Sequence, residues 1–213
     1  MKPDRAGRAQ ERRSHLLAVA RRLFEQQGFH QTGIAQIATE SGIKVGQIYR
    51  DFASKEAIIA AICESDVAAW LEEDVLAAAV EQADPQAIWA WLGRFNQSDT
   101  SNDYALVAEI IAEAARNERV AEIYRALDDR VLDSLSAALV AIAPPDTDQA
   151  AINAFAQFIL TFGVGVASRT IVHGEAGAEL ARAMMDRFLR SEMTTLFKCH
   201  RPQDCRASTH DDA

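Results

Sequence analysis

The stretch KVGQIYRDFASKE, residues 44–56, decides how the rest of this chain is read. It divides into two helical pieces joined at a turn. On a wheel of about one hundred degrees per residue, Val45, Ile48, Tyr49 and Phe52 cluster on one side and are expected to pack inward. Gln47 and Arg50 straddle the other side, with Gly46 and Asp51 beyond them. A carboxamide can match adenine, and a guanidinium can match guanine or phosphate. Gly46 lets a neighbouring surface approach the backbone. By periodicity alone the outer face suits two readings, a wet helix surface and a nucleic-acid surface.

Working outward, the same helical periodicity continues in both directions. Upstream, Leu16, Leu17, Ala20, Leu23 and Phe24 recur at the spacing of a buried stripe, and Gly28 suits a helix exit. Thr32 is expected as N-cap of a short second helix carrying Ile34, Ile37 and Ala38. Ser41-Gly42-Ile43 reads as the tight turn between two crossed helices. Downstream, Ser54 caps a fourth helix that starts at Lys55-Glu56 and is expected to run on to the Asp84-Pro85 stop. At the start of that helix Lys55 can meet a phosphate, helped by free backbone N–H groups. Further helices are expected at roughly 85–96, 100–116, 118–142, 147–173 and 176–197. Sustained alternation and Asn-Gly or Asp-Gly hairpin turns are absent, so the fold class is all-α.

Charge is unevenly spread along the 213 residues, whose formal net charge is -9. Residues 1–60 hold ten Lys or Arg against six Asp or Glu; the remainder holds twelve against twenty-five. Such a basic head can approach a polyanion while the acidic body keeps the molecule soluble, although a merely solvated arginine surface has the same composition. No export signal opens the sequence, and the apolar run 154–167, interrupted by Gln157 and Thr161, is too short to span a bilayer. The expected location is therefore the cytoplasm, where the sequon at Asn96 meets no glycosylation machinery. Cys63 lies in an apolar helical stretch and reads as a buried free thiol. Cys199, His200, Cys205 and His210 lie close together but match no common zinc spacing, so no metal and no cofactor is expected.

The run from His15 to Ile62 resembles the DNA-binding domain of the TetR family of bacterial transcriptional regulators. The resemblance rests on LF…GF in LFEQQGF, on Thr32, on Ile37-Ala38, on Gly42, and on the pattern G-x-I-Y-x-x-F-x-x-K-E from Gly46 to Glu56. It implies an N-terminal three-helix domain with a helix-turn-helix at 1–56, including a flexible arm at about 1–10. A larger helical ligand-binding and dimerisation domain at 57–197 and a disordered tail at 198–213 complete the expected organisation. It also implies that Thr32, Tyr49 and Lys55 touch phosphate and that Val45, Gly46 and Gln47 face base edges. Lys44 stands where the family usually has a Ser or Thr cap and offers an added cation; with Arg50 it completes the expected DNA-binding set. Asp51 stands where His or Tyr often approaches the backbone, and pairing with Arg50 or with a base-edge donor are the alternatives for it.

For the body the resemblance implies a homodimer formed through the last two long helices and an unknown small-molecule effector. The apolar faces there are Ile152, Phe155, Ala156, Ile159, Gly163 and Val166, then Leu180, Met184, Phe188 and Leu189, with Gly163 and Ala167 permitting close approach. These faces also suit the core of a single chain. Candidate pocket residues are Trp70, Trp89, Phe95, Arg116, Tyr124, Phe155, Phe158 and Phe162, with Asn153 and Gln157 as further orienting groups. The expected function is a ligand-responsive regulator that represses from a palindromic operator; a helical small-molecule binder or enzyme is the rival class. An enzyme is disfavoured by the absence of G-x-S-x-G, H-E-x-x-H and P-loop patterns. His15, His30 and His173 are isolated, and Gly163–Gly165 sits within a helical period, not in a nucleotide loop.

Overall fold

The computed structural model describes residues 5–96 and 103–198, the side chains of Arg5, Asp103 and residues 192–198 apart. Among the described residues every regular element is helical. The helices are α1 (Arg5–Gln27), α2 (Ile34–Ser41), α3 (Val45–Asp51), α4 (Lys55–Leu71), α5 (Glu73–Glu81), α6 (Pro85–Leu92), α7 (Asp103–Ala114), α8 (Glu118–Ile142) and α9 (Gln149–Lys198). A 3-10 turn, Gly93–Asn96, follows α6. The expected tail and its Cys199–His210 cluster lie outside the described residues.

Several boundaries differ from expectation, each for a local reason. α1 already begins at Arg5, inside the stretch expected to be a flexible arm, because only Gly7 among its first residues is a weak helix former. Thr32 is not the cap of α2: Gly33 holds that position, and the fully buried Thr32 hydroxyl instead donates to the carbonyls of Gly28 (2.9 Å) and Leu23 (3.3 Å). The fourth helix stops at Leu71, well short of Pro85, because Glu72 turns left-handed at φ 46°. Asp84 then caps α6, accepting from the N–H groups of Gln86 and Ala87, with Pro85 in the first turn, as the Asp-Pro pair suggests. The expected break near Gly174 is present, with Gly174 at φ 69° inside α9.

The described chain packs as two compact units. Of the described residues, the first comprises those up to 73 together with those of α7 and of α8 as far as Val131; the second comprises α5 from Asp74, α6 with its 3-10 turn, and the described chain from Leu132 onward. Its packing thus joins α7 and the first half of α8 to the helix-turn-helix, where the sequence suggests a boundary at residue 56. The core of this unit is Leu16, Val19, Ala20, Leu23, Phe24, Phe29, Ile37, Ile48, Phe52, Ile58, Ile59 and Ile62, closed by Leu106 and Ile110 of α7 and Val120 of α8. A 56-residue head would bury too little apolar surface to be stable with ease, and α7 supplies the missing wall. Cys63 belongs to this core, and burial pushes its thiol up to about 12, so it is inert at neutral pH.

In the second unit the 3-10 turn lies on α9, where a Cβ on Gly163 would sit 3.4 Å from the Phe95 carbonyl. Gly163 and Ala167, expected at a dimer interface, therefore serve packing within the chain; Ala167 is buried. The same holds for Ile152, Phe155, Ala156, Ile159 and Val166, and for Leu189 after the break. Phe158, Ile171, Val172, Leu180, Met184 and Phe188 are exposed instead, Leu180 and Val172 by 76% and 72%. Within Gln149–Ser191 one 18-residue window reaches a mean hydropathy of 1.7, which by length and composition alone is apolar enough to cross a membrane, although the core helix of a soluble protein has the same character.

Gly28, which ends α1, has φ +86°, and a Cβ there would sit 3.0 Å from Glu109 Oε2. Gly28→Ala is expected to lower the stability of the chain by about 1–2 kcal/mol, from left-handed strain and the displaced carboxylate. Denaturant unfolding measures it, and an unchanged midpoint contradicts the packing described for this turn.

Candidate nucleic-acid interface

The head is assembled around the turn that joins α1 to α2. Lys55, the first residue of α4, reaches back across it: its Nζ donates to the carbonyls of Phe29 (2.7 Å) and Thr32 (3.0 Å) and lies 4.2 Å from the centre of the Phe29 ring. Burial pulls this ammonium below the ordinary Lys value, against the raising influence of Glu56 and Glu113. From α7, Glu109 accepts the Phe29 N–H at 3.3 Å. The buried Glu113 accepts from Arg116 Nε (2.7 Å) and holds the start of α8 through Asn117. Ser54 caps α4 as expected, accepting from the Ala57 N–H at 3.2 Å.

Two positions expected at phosphate have side chains engaged within the chain. Thr32 is fully buried, with its hydroxyl turned to backbone carbonyls. Lys55 spends two of its three N–H groups on closing the turn. In this conformation both side chains hold the turn between α1 and α2.

α3 is placed by its buried side. Ile48 is fully buried and Phe52, its C-cap, is nearly so. Val45 and Tyr49, expected on the same buried face, are exposed by 40% and 55%. The helix is only seven residues long, and two anchors suffice to hold it. As the sequence suggests, Lys44 occupies the N-cap without a side-chain cap bond. Lys44, Val45, Gly46, Tyr49 and Arg50 are all exposed, and Gln47 is half-buried. A Cβ on Gly46 would meet nothing within 4 Å, so packing within the chain does not require glycine there.

Within the chain Asp51 pairs with Arg12 and Gln47, not with Arg50, one of its two expected alternatives. Its carboxylate accepts from Arg12 Nε (3.1 Å) and Nη2 (3.3 Å) of α1, and from Gln47 Nε2 at 3.3 and 3.4 Å. Arg13 donates to the Asp51 carbonyl at 3.1 Å and lies over the Phe52 ring. Arg50 in turn donates to Gln47 Oε1. The Arg12 guanidinium holds the Asp51 carboxyl below the usual carboxylate value; the Gln47 amide adds to this, against the opposing effect of partial burial. Sequence reasoning missed Arg12, Arg13, Glu109 and Glu113. An acid on an otherwise cationic face is the one local signal that a cation must come from elsewhere.

The expected pocket residues are divided between the two units. In the first unit, Trp70 is 36% exposed, Arg116 is paired with Glu113, and Tyr124 packs against the head core. In the second, Phe95 packs edge-on against Trp91, Trp89 is half-buried, and Phe155 and Phe158 contact Phe188. Phe162 lies beside Phe158, and Asn153 bonds Gln149. None of these lines the groove of about 420 Å³ that α4 and α8 form in the first unit. Its wall is Ala60, Ile123, Ala126 and Leu127, edged by Glu64, Arg119, Glu122 and Arg130. Among the described residues no three His, Cys, Asp or Glu side chains are grouped to hold a metal ion. His15 bonds the Ser41 carbonyl and so serves the helix-turn-helix itself.

Residues 16–62 match the family described as bacterial regulatory proteins, tetR family. The HTH-type transcriptional regulator UidR of Escherichia coli (strain K12) is 33% identical over 120 residues, 55% of this chain and 59% of UidR. AcrR of Shigella flexneri is 45% identical over 56 residues, 26% of each chain. The match thus spans about three fifths of the length of UidR and a quarter of AcrR. The solved structure of Salmonella enterica GusR superposes with a TM-score of 0.64 at 28% identity, covering 89% of this chain and 96% of that one. The helix-turn-helix, within residues 16–62, is the part that matches the tetR family of bacterial regulatory proteins, and over 89% of its length the chain is similar in fold to GusR.

Two measurements check the head. Lys55→Met is expected to lower stability by about 1.5 kcal/mol, through the loss of two charge-assisted bonds to carbonyls that stay behind. The Asp51 carboxyl, lowered in the folded chain, contributes stability that is complete above the ordinary value of 3.8 and is lost as pH falls through the lower folded value. Asp51→Asn is therefore expected to flatten the acid limb of the stability curve below 3.8, which urea unfolding at a series of pH values records.

Proposed function

We propose that this chain is a homodimeric, ligand-responsive transcriptional repressor that reads a palindromic DNA operator through α3 and acts in the cytoplasm. The observation that carries the reading is the two-sidedness of α3. Ile48 and Phe52 anchor one side in the core, while Lys44, Val45, Gly46, Tyr49 and Arg50 stand exposed on the other. A helix so presented fits the major groove: Lys44 and Tyr49 are placed for phosphate, and Val45, Gly46, Gln47 and Arg50 for base edges. One head reads few base pairs, so a two-fold partner and a repeated half-site about one helical turn away follow from the geometry of such modules.

The exposed apolar side chains of α9 supply the reason for a second copy. Phe158, Phe188, Met184 and Leu180 expose apolar side chains along this helix, and the Phe158 and Phe188 rings pack with their centres 4.7 Å apart. A self-complementary face of this kind suits an isologous dimer. For the effector, the groove of about 420 Å³ between α4 and α8 has an apolar floor and the size of a small-molecule site. Ala60 lies in the same helix as Lys55, so a molecule seated there acts on the helix that closes the head. Differential binding to two arrangements of that helix is sufficient to change operator affinity.

Selection of bound genomic fragments by the purified chain tests the reading, with Gln47→Ala and Lys44→Ala alongside. One enriched palindrome is expected. Gln47→Ala should cost about 1–3 kcal/mol at one base position of each half-site, while Lys44→Ala should weaken all sequences alike and make the salt slope shallower. A folded chain that enriches no sequence at low salt overturns the proposal. For the dimer, Leu180→Glu is expected to shift sedimentation from two copies to one, with helix content unchanged.

A further inference from the structure

Asp51 is the anion on the otherwise cationic face of α3, and the side chains around it fix more than its own position. Arg12 of α1 binds both of its oxygens, and Arg13 binds its carbonyl. Gln47 Nε2 donates to the same carboxylate, while Gln47 Oε1 accepts from Arg50. Turning the Gln47 amide over would set its oxygen against a carboxylate and its NH₂ against a guanidinium. Both contacts are repulsive, so the amide has one orientation.

With one N–H spent on Asp51 and one lone pair on Arg50, the carboxamide keeps one donor and one acceptor. We propose that Asp51 is a specificity-determining positioning residue: anchored by Arg12, it orients Gln47 so that this donor and acceptor face outward as a pair. That pair matches the N7 acceptor and N6 donor that adenine presents in the major groove. The ion pair with Arg12 also neutralises the carboxylate, so its charge does not set α3 against the phosphates. The inference rests on the proposal that α3 reads DNA and adds the base it selects and the residue that enforces the choice.

The test is a comparison of half-sites carrying each of the four bases at every position, bound by the full chain and by Asp51→Ala, Asp51→Asn, Gln47→Ala and the Gln47→Ala/Asp51→Ala double variant. Wild type should prefer adenine at one position, and Asp51→Ala should lower that preference about tenfold. Asp51→Asn keeps an acceptor for Gln47 Nε2 and should retain the preference within about threefold, although it loses the charge facing Arg12. A role confined to the ion pair would make the Asn and Ala variants alike. In the double variant the loss should be no greater than in Gln47→Ala alone. Should Asp51→Ala melt below the assay temperature, Asp51→Ser, too short to reach Gln47, takes its place. A selective wild type with an unchanged base profile in Asp51→Ala, or additive losses in the double variant, overturns the proposal alone. A wild type without sequence preference overturns the DNA-reading proposal and this one with it.

Discussion

The half-buried ammonium of Lys55 is the constraint on which the first unit depends. At the turn after α1, Lys55 donates to the carbonyls of Phe29 and Thr32, and the buried Thr32 hydroxyl donates to those of Gly28 and Leu23; the Gly28 carbonyl also accepts the Thr32 N–H at 3.3 Å. The arrangement ties the start of α4 to the end of α1, and α3 lies between them in the chain. Fixing the two flanks fixes α3, which Ile48 and Phe52 anchor in the core. Glu109 adds a bond from α7 to the same turn, so the head is held from a helix far away in the sequence.

On the other side of α3 the electrostatics are balanced locally. Asp51 would oppose a polyanion if it stood alone, but Arg12 and Arg13 bring two guanidinium groups to it from α1. Exposed ion pairs contribute little to stability in general. The value of this one is geometric, because the carboxylate is also the acceptor that orders Gln47. The cations left outward, Lys44 and Arg50, flank the exposed Val45, Gly46 and Tyr49.

α9 shows how one apolar helix is divided between two tasks. Before the break at Gly174 its stripe of Ile152, Phe155, Ile159 and Val166 is core; after it, Ala178, Met185 and Leu189 are buried while Leu180, Met184 and Phe188 face outward. Small residues that invite close approach, Gly163 and Ala167, are consumed by packing within the chain. Apolar character therefore fails to mark the outer surface on this helix.

Helical character throughout, the exit at Gly28, the Ser54 cap and the absence of strands among the described residues were legible in the sequence, because they rest on interactions within a few residues; the break after Leu71 that separates α4 from α5 was not. The exposure of Arg50 on α3 was legible too, since it follows from a period of 3.6, whereas Gln47 is half-buried. What local pattern misjudged was whichever depends on a partner from afar: Val45 and Tyr49 are exposed because only two anchors reach the core, and Thr32 is buried because α1 carbonyls lie over it. The eight aromatic and polar candidates for a pocket looked equivalent in sequence, and packing alone separated exposed Trp70 and Phe158 from buried Phe95 and Phe155. The sequence by itself determined an all-helical chain with a helix-turn-helix and a polar, partly cationic outer face on its second helix. Only the tertiary structure decided that Lys55 and Thr32 close a turn and that Arg12 orders Asp51 and Gln47. Those bonds join residues 23 to 39 positions apart, or turn a side chain inward, and no periodicity of one helix encodes a contact with another.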